Sequence, residues 1–215
     1  MHISMRTAIA GALAGKTIGR TLFNEAVRTR MAGCSGRVLD IAGGASGSYL
    51  KYLPPHLDVV RTDVTPAPGI TVVDMNEPLP FPDRSFDAVL LFNALYAAEE
   101  PLALAREIFR VLKPDGTWYL ASPFIANEMP EPHDYVRFTA EGLERLCRRA
   151  GFTKISIERL GERVSAAVQL THPFYLFNFV RALVYPLAVF FDGLIPQGAL
   201  EAHPSPIGYF ARSTK

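Results

Sequence analysis

The spacing of apolar residues changes several times along the chain, and each change marks a different kind of element. Residues 1–37 read as helical: Leu22, Ala26 and Val27 fall on one face, with Arg28 and Arg30 late in the run. From Gly36 the pattern shortens. Val38 to Ile41 is a brief apolar run that ends in Ala42-Gly43-Gly44-Ala45-Ser46-Gly47, a turn rich in small residues. A helix-like stretch over Ser48–Leu53 should be stopped by Pro54-Pro55. Asp58–Asp63 and Ile70–Asp74 read as strands, each closing on an acid. Phe86–Phe92 (FDAVLLF) is continuously apolar, as a parallel strand covered on both faces must be.

The second half repeats the alternation. Leu102–Leu112 is helical and stops at Lys113-Pro114-Asp115-Gly116; Thr117–Ala121 is a strand. Thr139 is placed to cap a helix that runs to Ala150, with Gly151 ending it. Phe152–Leu160 alternates like a half-exposed strand, and Ile207–Arg212 reads as the last one. Strand–helix alternation implies a Rossmann-like α/β fold: a seven-stranded, mostly parallel sheet flanked by helices. Residues 1–35 form an N-terminal helical segment and 36–215 the main domain. Ligands of such sheets bind at the carboxyl ends of the strands, which directs attention to the turns after Ile41, Asp63, Asp74, Phe92 and Ala121.

The Gly-rich turn after Ile41 lets a ligand approach the backbone closely. Its spacing is not G-x-G-x-x-G, and Asp40 sits just before it, where an anion would be repelled and an amine-bearing ligand welcomed. Further along lie Asp74-Met75-Asn76-Glu77-Pro78-Leu79-Pro80-Phe81-Pro82-Asp83-Arg84-Ser85-Phe86-Asp87, then Arg110-Val111-Leu112-Lys113-Pro114-Asp115-Gly116, then Ala150-Gly151-Phe152. This ordered set resembles the class I S-adenosylmethionine-dependent methyltransferases of the type 11-like kind, over about Gly36–Gly161 and the last ten residues. Members typically carry an acid followed by three glycines at alternate positions; here Asp40 and Gly44 fit, while Ala42 and Ser46 replace two glycines. The resemblance implies S-adenosylmethionine as cofactor, with S-adenosylhomocysteine as product. It implies cofactor contacts from Asp40, Ala42, Gly44, Ser46, Asp63, Val64, Asp74, Met75 and Asn93, with Asp63 at the ribose hydroxyls and Asp74 at the adenine amino group.

Pro132-His133-Asp134-Tyr135-Val136-Arg137-Phe138-Thr139 is similar to an HD-Y-x-R-F/Y-T segment in a branch of these enzymes tied to glycan or lipid pathways. It implies acceptor contacts from Tyr96, His133, Asp134, Tyr135 and Arg137. Histidine is the residue type there suited to proton transfer near neutral pH, which makes His133 the candidate general base. The other reading makes His133, Asp134 and Arg137 a hydrogen-bonded loop anchor. Leu95-Tyr96-Ala97 stands where many relatives have Leu-x-His, which keeps open a binding or scaffold protein without turnover. An NAD(P)-dependent oxidoreductase is disfavoured by the glycine spacing and by the lack of a Tyr-x-x-x-Lys pair.

Residues 161–206 interrupt the hairpin expected of the last two strands with a hydrophobic helical insertion. Between Pro173 and Pro196, 17 of 24 residues are apolar and seven are aromatic. The stretch suits a lid over an apolar acceptor, a peripheral membrane contact or a homodimer surface. Arg181, Pro186 and Asp192 break it, so it does not read as a span, and Thr7–Gly15 is short and Leu-poor for a signal peptide. A cytoplasmic, membrane-associated protein fits this pattern. The 22 basic and 21 acidic residues nearly cancel, which argues against a nucleic-acid partner bound by bulk charge. Cys34 and Cys147 have neither zinc nor disulfide spacing, and no metal is implied. The acceptor is read as a small molecule, lipid or lipid-linked sugar.

Overall fold

The computed structural model describes residues 3–130 and 132–215; Met1 and His2 of the N-terminal segment and Glu131 lie outside them. Its seven strands are β1 (Arg37–Ile41), β2 (Asp58–Asp63), β3 (Thr71–Val72), β4 (Phe86–Phe92), β5 (Leu112–Pro123), β6 (Lys154–Leu160) and β7 (Gly208–Thr214). They form one sheet in the order β3-β2-β1-β4-β5-β7-β6. Strands β1 to β5 run parallel, with Val38 beside Val59 and Ala88, and Ala88 beside Thr117. β6 and β7 pair as an antiparallel hairpin, with Ile207 N–H donating to the Leu160 carbonyl and Thr153 N–H to that of Thr214. β1 and β4 are neighbours from which the chain winds outward in both directions. The crevice at their carboxyl ends is therefore the switch point where such folds bind ligands.

The chain divides into two compact units, and one holds residues 27–122, 129–157 and 210–215. β4 is buried along nearly its whole length, as its apolar run requires, and Trp118 on β5 is fully enclosed. Helix α3 (Pro101–Val111) starts on a proline and buries Leu104, Ala105 and Ile108. Helix α4 (Ala140–Ala150) has both expected caps: the Thr139 hydroxyl accepts the Gly142 N–H, and Gly151 takes φ +113°. The Lys113–Gly116 turn lies inside β5, where Phe86 pairs with Leu112 but Ala88 with Thr117, so these residues loop out of register, Asp115 at φ +61°. The helix expected over Ser48–Leu53 is absent; a single 3-10 turn, Leu50–Tyr52, stands there. The prolines at 54 and 55 leave too few residues after the Gly-rich turn to nucleate an α-helix.

Of the described residues, the other unit holds 3–26, 123–128 and 158–209. It contains α1 (Met5–Leu13), α2 (Ile18–Arg30) as far as Ala26, α5 (Arg163–Leu170), α6 (Asn178–Leu194) and α7 (Gln197–Ala202). The insertion is thus helical, as expected, and groups with the N-terminal helices. α1 packs on α6 and buries its small residues Ala8, Gly11 and Ala12; a Cβ on Gly11 would strike the Thr21 side chain on α2. The buried Asp192 of α6 binds the start of α5, accepting N–H bonds from Glu162 at 3.1 Å, Val164 at 2.8 Å and Ser165 at 3.2 Å. The Glu162–Ser165 capping box already engages two of these donors, and the Asp192 carboxylate adds further acceptors and complements the positive end of α5.

Asp192→Ala should lower stability by about 2 kcal/mol, since it removes charge-assisted bonds to a buried helix start. A urea midpoint equal to the wild type's would show that those N–H groups find other partners.

Candidate active site

A cleft of about 480 Å³ opens beyond the carboxyl ends of β1 to β4. That volume falls in the usual range for small-molecule sites. Of the residues named from the sequence, it is lined by Ala42, Asp63, Val64, Asp74, Met75, Asn93, Tyr96 and His133. Val73, Asn76, Glu77, Ala94, Ala97, Glu99 and Pro132 complete the lining and were not singled out in the sequence. Asn76, Glu77 and Glu99 are the polar ones among them. Nothing but their nearness in sequence to Asp74 and Tyr96 marked them.

Ala42 and Asn93 follow β1 and β4, and both adopt a left-handed backbone, at φ +54° and +53°. That conformation explains why a glycine suits position 42, and it places strain at the switch point. The two cleft acids are held by their own turns: Asp63 Oδ1 accepts the Thr65 N–H and Asp74 Oδ1 the Asn76 N–H, each at 2.9 Å. Each carboxylate keeps a second oxygen for a ligand's hydroxyl or amino hydrogens. The Asn76 side chain in turn accepts the Glu99 N–H at 2.9 Å, joining the Asp74 turn to the one after β4.

Asp40, Gly44 and Ser46 do not line the cleft. Asp40 is fully buried behind the Gly-rich turn, and its Oδ2 accepts the Tyr49 hydroxyl at 2.6 Å. Tyr49, buried edge-on against Phe92, was missed in the sequence because only the folded turn brings it to Asp40. Oδ1 of Asp40 has no hydrogen-bond partner among the described residues. Gly43 must lack a side chain, since its Cβ would fall on the Asp40 carboxylate. Arg61 ties the turn down through the Ala45 carbonyl at 3.2 Å. Burial pushes the Asp40 carboxyl up to about 7, only partly offset by the Tyr49 hydrogen bond and the Arg61 charge. A buried carboxylate with one oxygen unpaired is suited to a cationic or amine donor arriving with a ligand.

The 132–139 segment divides. His133 lines the cleft and stacks on Tyr135, with ring centroids 5.1 Å apart. Asp134, Tyr135 and Arg137 lie outside the lining. Asp134 pairs with Arg137 and accepts the Met129 N–H at 2.8 Å, and the Arg137 guanidinium covers the Tyr96 ring at 5.2 Å. The Arg137 hydrogen bond holds the Asp134 carboxyl below the usual range. Tyr135 N–H donates to the Tyr96 carbonyl at 2.8 Å. Asp134 and Arg137 therefore anchor the loop that presents His133 and support Tyr96 from behind.

The folded protein holds the Asp40 proton to higher pH than the unfolded chain does. Asp40 thus costs stability progressively as pH rises from about 4 to about 7, and costs nothing below that window. Ligand-free Asp40→Asn should exceed the wild type at pH 8 by on the order of 2 kcal/mol, and the gain should vanish at pH 4. Equal melting temperatures at both pH values would show that the carboxylate is not strained.

Residues 32–120 match the family model described as a methyltransferase domain. Demethylmenaquinone methyltransferase of Renibacterium salmoninarum is 29% identical over 140 residues, which cover 60% of this chain. The chain spans 59% of that relative's length. A SAM-dependent methyltransferase from Archaeoglobus fulgidus superposes with a TM-score of 0.59 at 16% identity, over 89% of this chain and 94% of that one. Phosphoethanolamine N-methyltransferase 2 of Haemonchus contortus, solved with S-adenosyl-L-methionine, gives 0.58 at 18% identity, over 90% of this chain and 52% of that one. The sheet order and the strand-end acids agree with the methyltransferase-domain model that residues 32–120 match, and the chain has the fold of the S-adenosylmethionine-dependent methyltransferases on which it superposes.

Proposed function

We propose that the protein transfers a methyl group from S-adenosylmethionine to a small, lipid-like acceptor. The observation that carries this reading is the set of three acids at successive strand ends, Asp40, Asp63 and Asp74, of which Asp40 keeps a buried oxygen unpaired. A cofactor with an ammonium group, two ribose hydroxyls and an adenine amino group offers donors for the two cleft acids and a positive charge for the buried one. In this reading Asp63 and Asp74 hold the nucleoside through the oxygens their turns leave free. Asp40 acts from behind the Gly43-Gly44 backbone as the negative charge that favours the ammonium end. Ala42, Gly44, Ser46, Val64, Met75 and Asn93 shape the wall and the turn around it.

When bound, the cofactor supplies an activated methyl on a sulfonium that is already a good leaving group. The chain's own task is then mainly alignment, which can contribute about 7–11 kcal/mol. Tyr96 and His133 form the acceptor side. In this reading His133 takes the proton that an acceptor hydroxyl gives up, and its stacking on Tyr135 supports the ring. A base of this kind typically adds about 10²–10⁴-fold to the rate. The lipid-like acceptor is supported by the relative named as a demethylmenaquinone methyltransferase. Apolar lining residues such as Val64, Val73, Met75 and Ala97 agree with it.

Calorimetric titration with S-adenosylhomocysteine should give micromolar binding, weakened about tenfold or more by Asp63→Ala and by Asp74→Ala. With labelled S-adenosylmethionine and demethylmenaquinol dispersed in detergent, His133→Gln should reduce turnover at least 100-fold while leaving cofactor affinity unchanged. No binding of S-adenosylhomocysteine would overturn the enzyme reading. Binding with no transfer to any quinol or lipid acceptor would favour a methyltransferase-like binding protein instead.

A further inference from the structure

The unit that contains the insertion leaves an apolar face in solvent, and we infer that this face docks on an anionic phospholipid surface. The inference stands apart from the methyl-transfer reading. From Phe179 to Leu194, α6 exposes Phe179, Leu183, Leu187, Phe190, Phe191 and Leu194, which are spaced to form one stripe; apart from these, only Gly193 is exposed. Phe174, Leu176 and Phe177 extend the stripe before the helix, with Phe174 82% and Phe177 60% exposed. On α1, which packs against α6, Met5, Ile9 and Leu13 are exposed at four-residue intervals.

This is a large contiguous apolar surface. At roughly 150–250 Å² per aromatic side chain, the five exposed phenylalanines alone leave on the order of 500 Å² in water. That already lies in the upper part of the range for the largest patch of a typical soluble monomer, before any leucine is counted, and patches of that size are often functional.

Charge decides the occupant. Neither helix exposes a carboxylate, since Asp192, the one acid in α1 or α6, is buried at the start of α5. The first acid of the chain is Glu25, whereas Arg6, Lys16 and Arg20 precede it. An apolar stripe with basic flanks suits a headgroup layer with acyl chains beneath it. Phenylalanine and leucine need no directional partner there, while the stripe carries none of the polar groups that give a protein interface its register. α6 has 17 residues with Pro186 inside it, and no helix among the described residues is long and apolar enough to cross a membrane. The geometry is therefore that of a helix lying in the interface plane.

Flotation of the full chain with vesicles tests this, using phosphatidylcholine alone against phosphatidylcholine with about 30% phosphatidylglycerol. The wild type should bind the anionic vesicles about tenfold more tightly, and salt should weaken the binding. The triple variant Phe179→Ser, Leu183→Ser, Leu187→Ser should lose at least tenfold in vesicle affinity with an unchanged circular dichroism spectrum. The variant Arg6→Gln, Lys16→Gln, Arg20→Gln should lose only the preference for phosphatidylglycerol. Failure to float with either vesicle, or flotation that the serine variant leaves intact, overturns the inference. A wild-type dimer in light scattering that the serine variant dissociates, without vesicle binding, would assign the face to a second copy of this chain.

Discussion

The constraint on which the site depends is the burial of one carboxylate. Asp40 ends a central strand with no exposed surface, and only Tyr49 donates to it among the described residues. Burying a charge with half its hydrogen-bonding capacity unused is costly. The fold tolerates it because the Gly-rich turn passes close enough to be held by the same residues. Gly43 lies against the carboxylate, Tyr49 reaches back across it, and Arg61 fixes the Ala45 carbonyl. Any side chain at position 43 would collide with Asp40, so the turn and the acid constrain each other.

The cleft is pre-organised on the same principle, at lower cost. Asp63 and Asp74 are not buried, and each spends one oxygen on its own turn. This fixes the direction of the other oxygen before any ligand arrives, which reduces the ordering a ligand must impose. On the opposite wall, Asp134 and Arg137 do for Tyr96 and His133 what the turns do for the acids. Function in this reading is divided between groups that would touch ligands and groups that hold those in place.

The helical unit follows a different balance. Its interior relies on small residues that allow close helix approach and on Asp192 capping α5 from α6. Most of the phenylalanines of the insertion were not used for that interior. Phe174, Phe177 and Phe179 remain in solvent, while the buried residues of α6 are Tyr185, Pro186, Ala188 and Asp192. A helix apolar on both faces is an unstable arrangement in water alone, and the outer face therefore calls for a partner phase.

Much of this was legible in the residues themselves. The continuous run of β4, the acids closing β2 and the third strand, the Thr139 and Gly151 caps and the apolar insertion are all local signals. Local signals survive because they depend on neighbours in sequence. Eight of the named site residues line the cleft for the same reason, since strand ends in a parallel sheet converge by topology. What the tertiary structure alone decided is of a different kind. It reduced Ser48–Leu53 to one 3-10 turn, paired Tyr49 with Asp40, and turned Asp134 and Arg137 into an anchor. It also carried Asp192 across to α5 and left the outer face of α6 uncovered. The sequence determined which residues are apolar, acidic or small. Which of them meet across the fold, and which stay in water, depends on packing between segments far apart in the chain, and no local pattern encodes that.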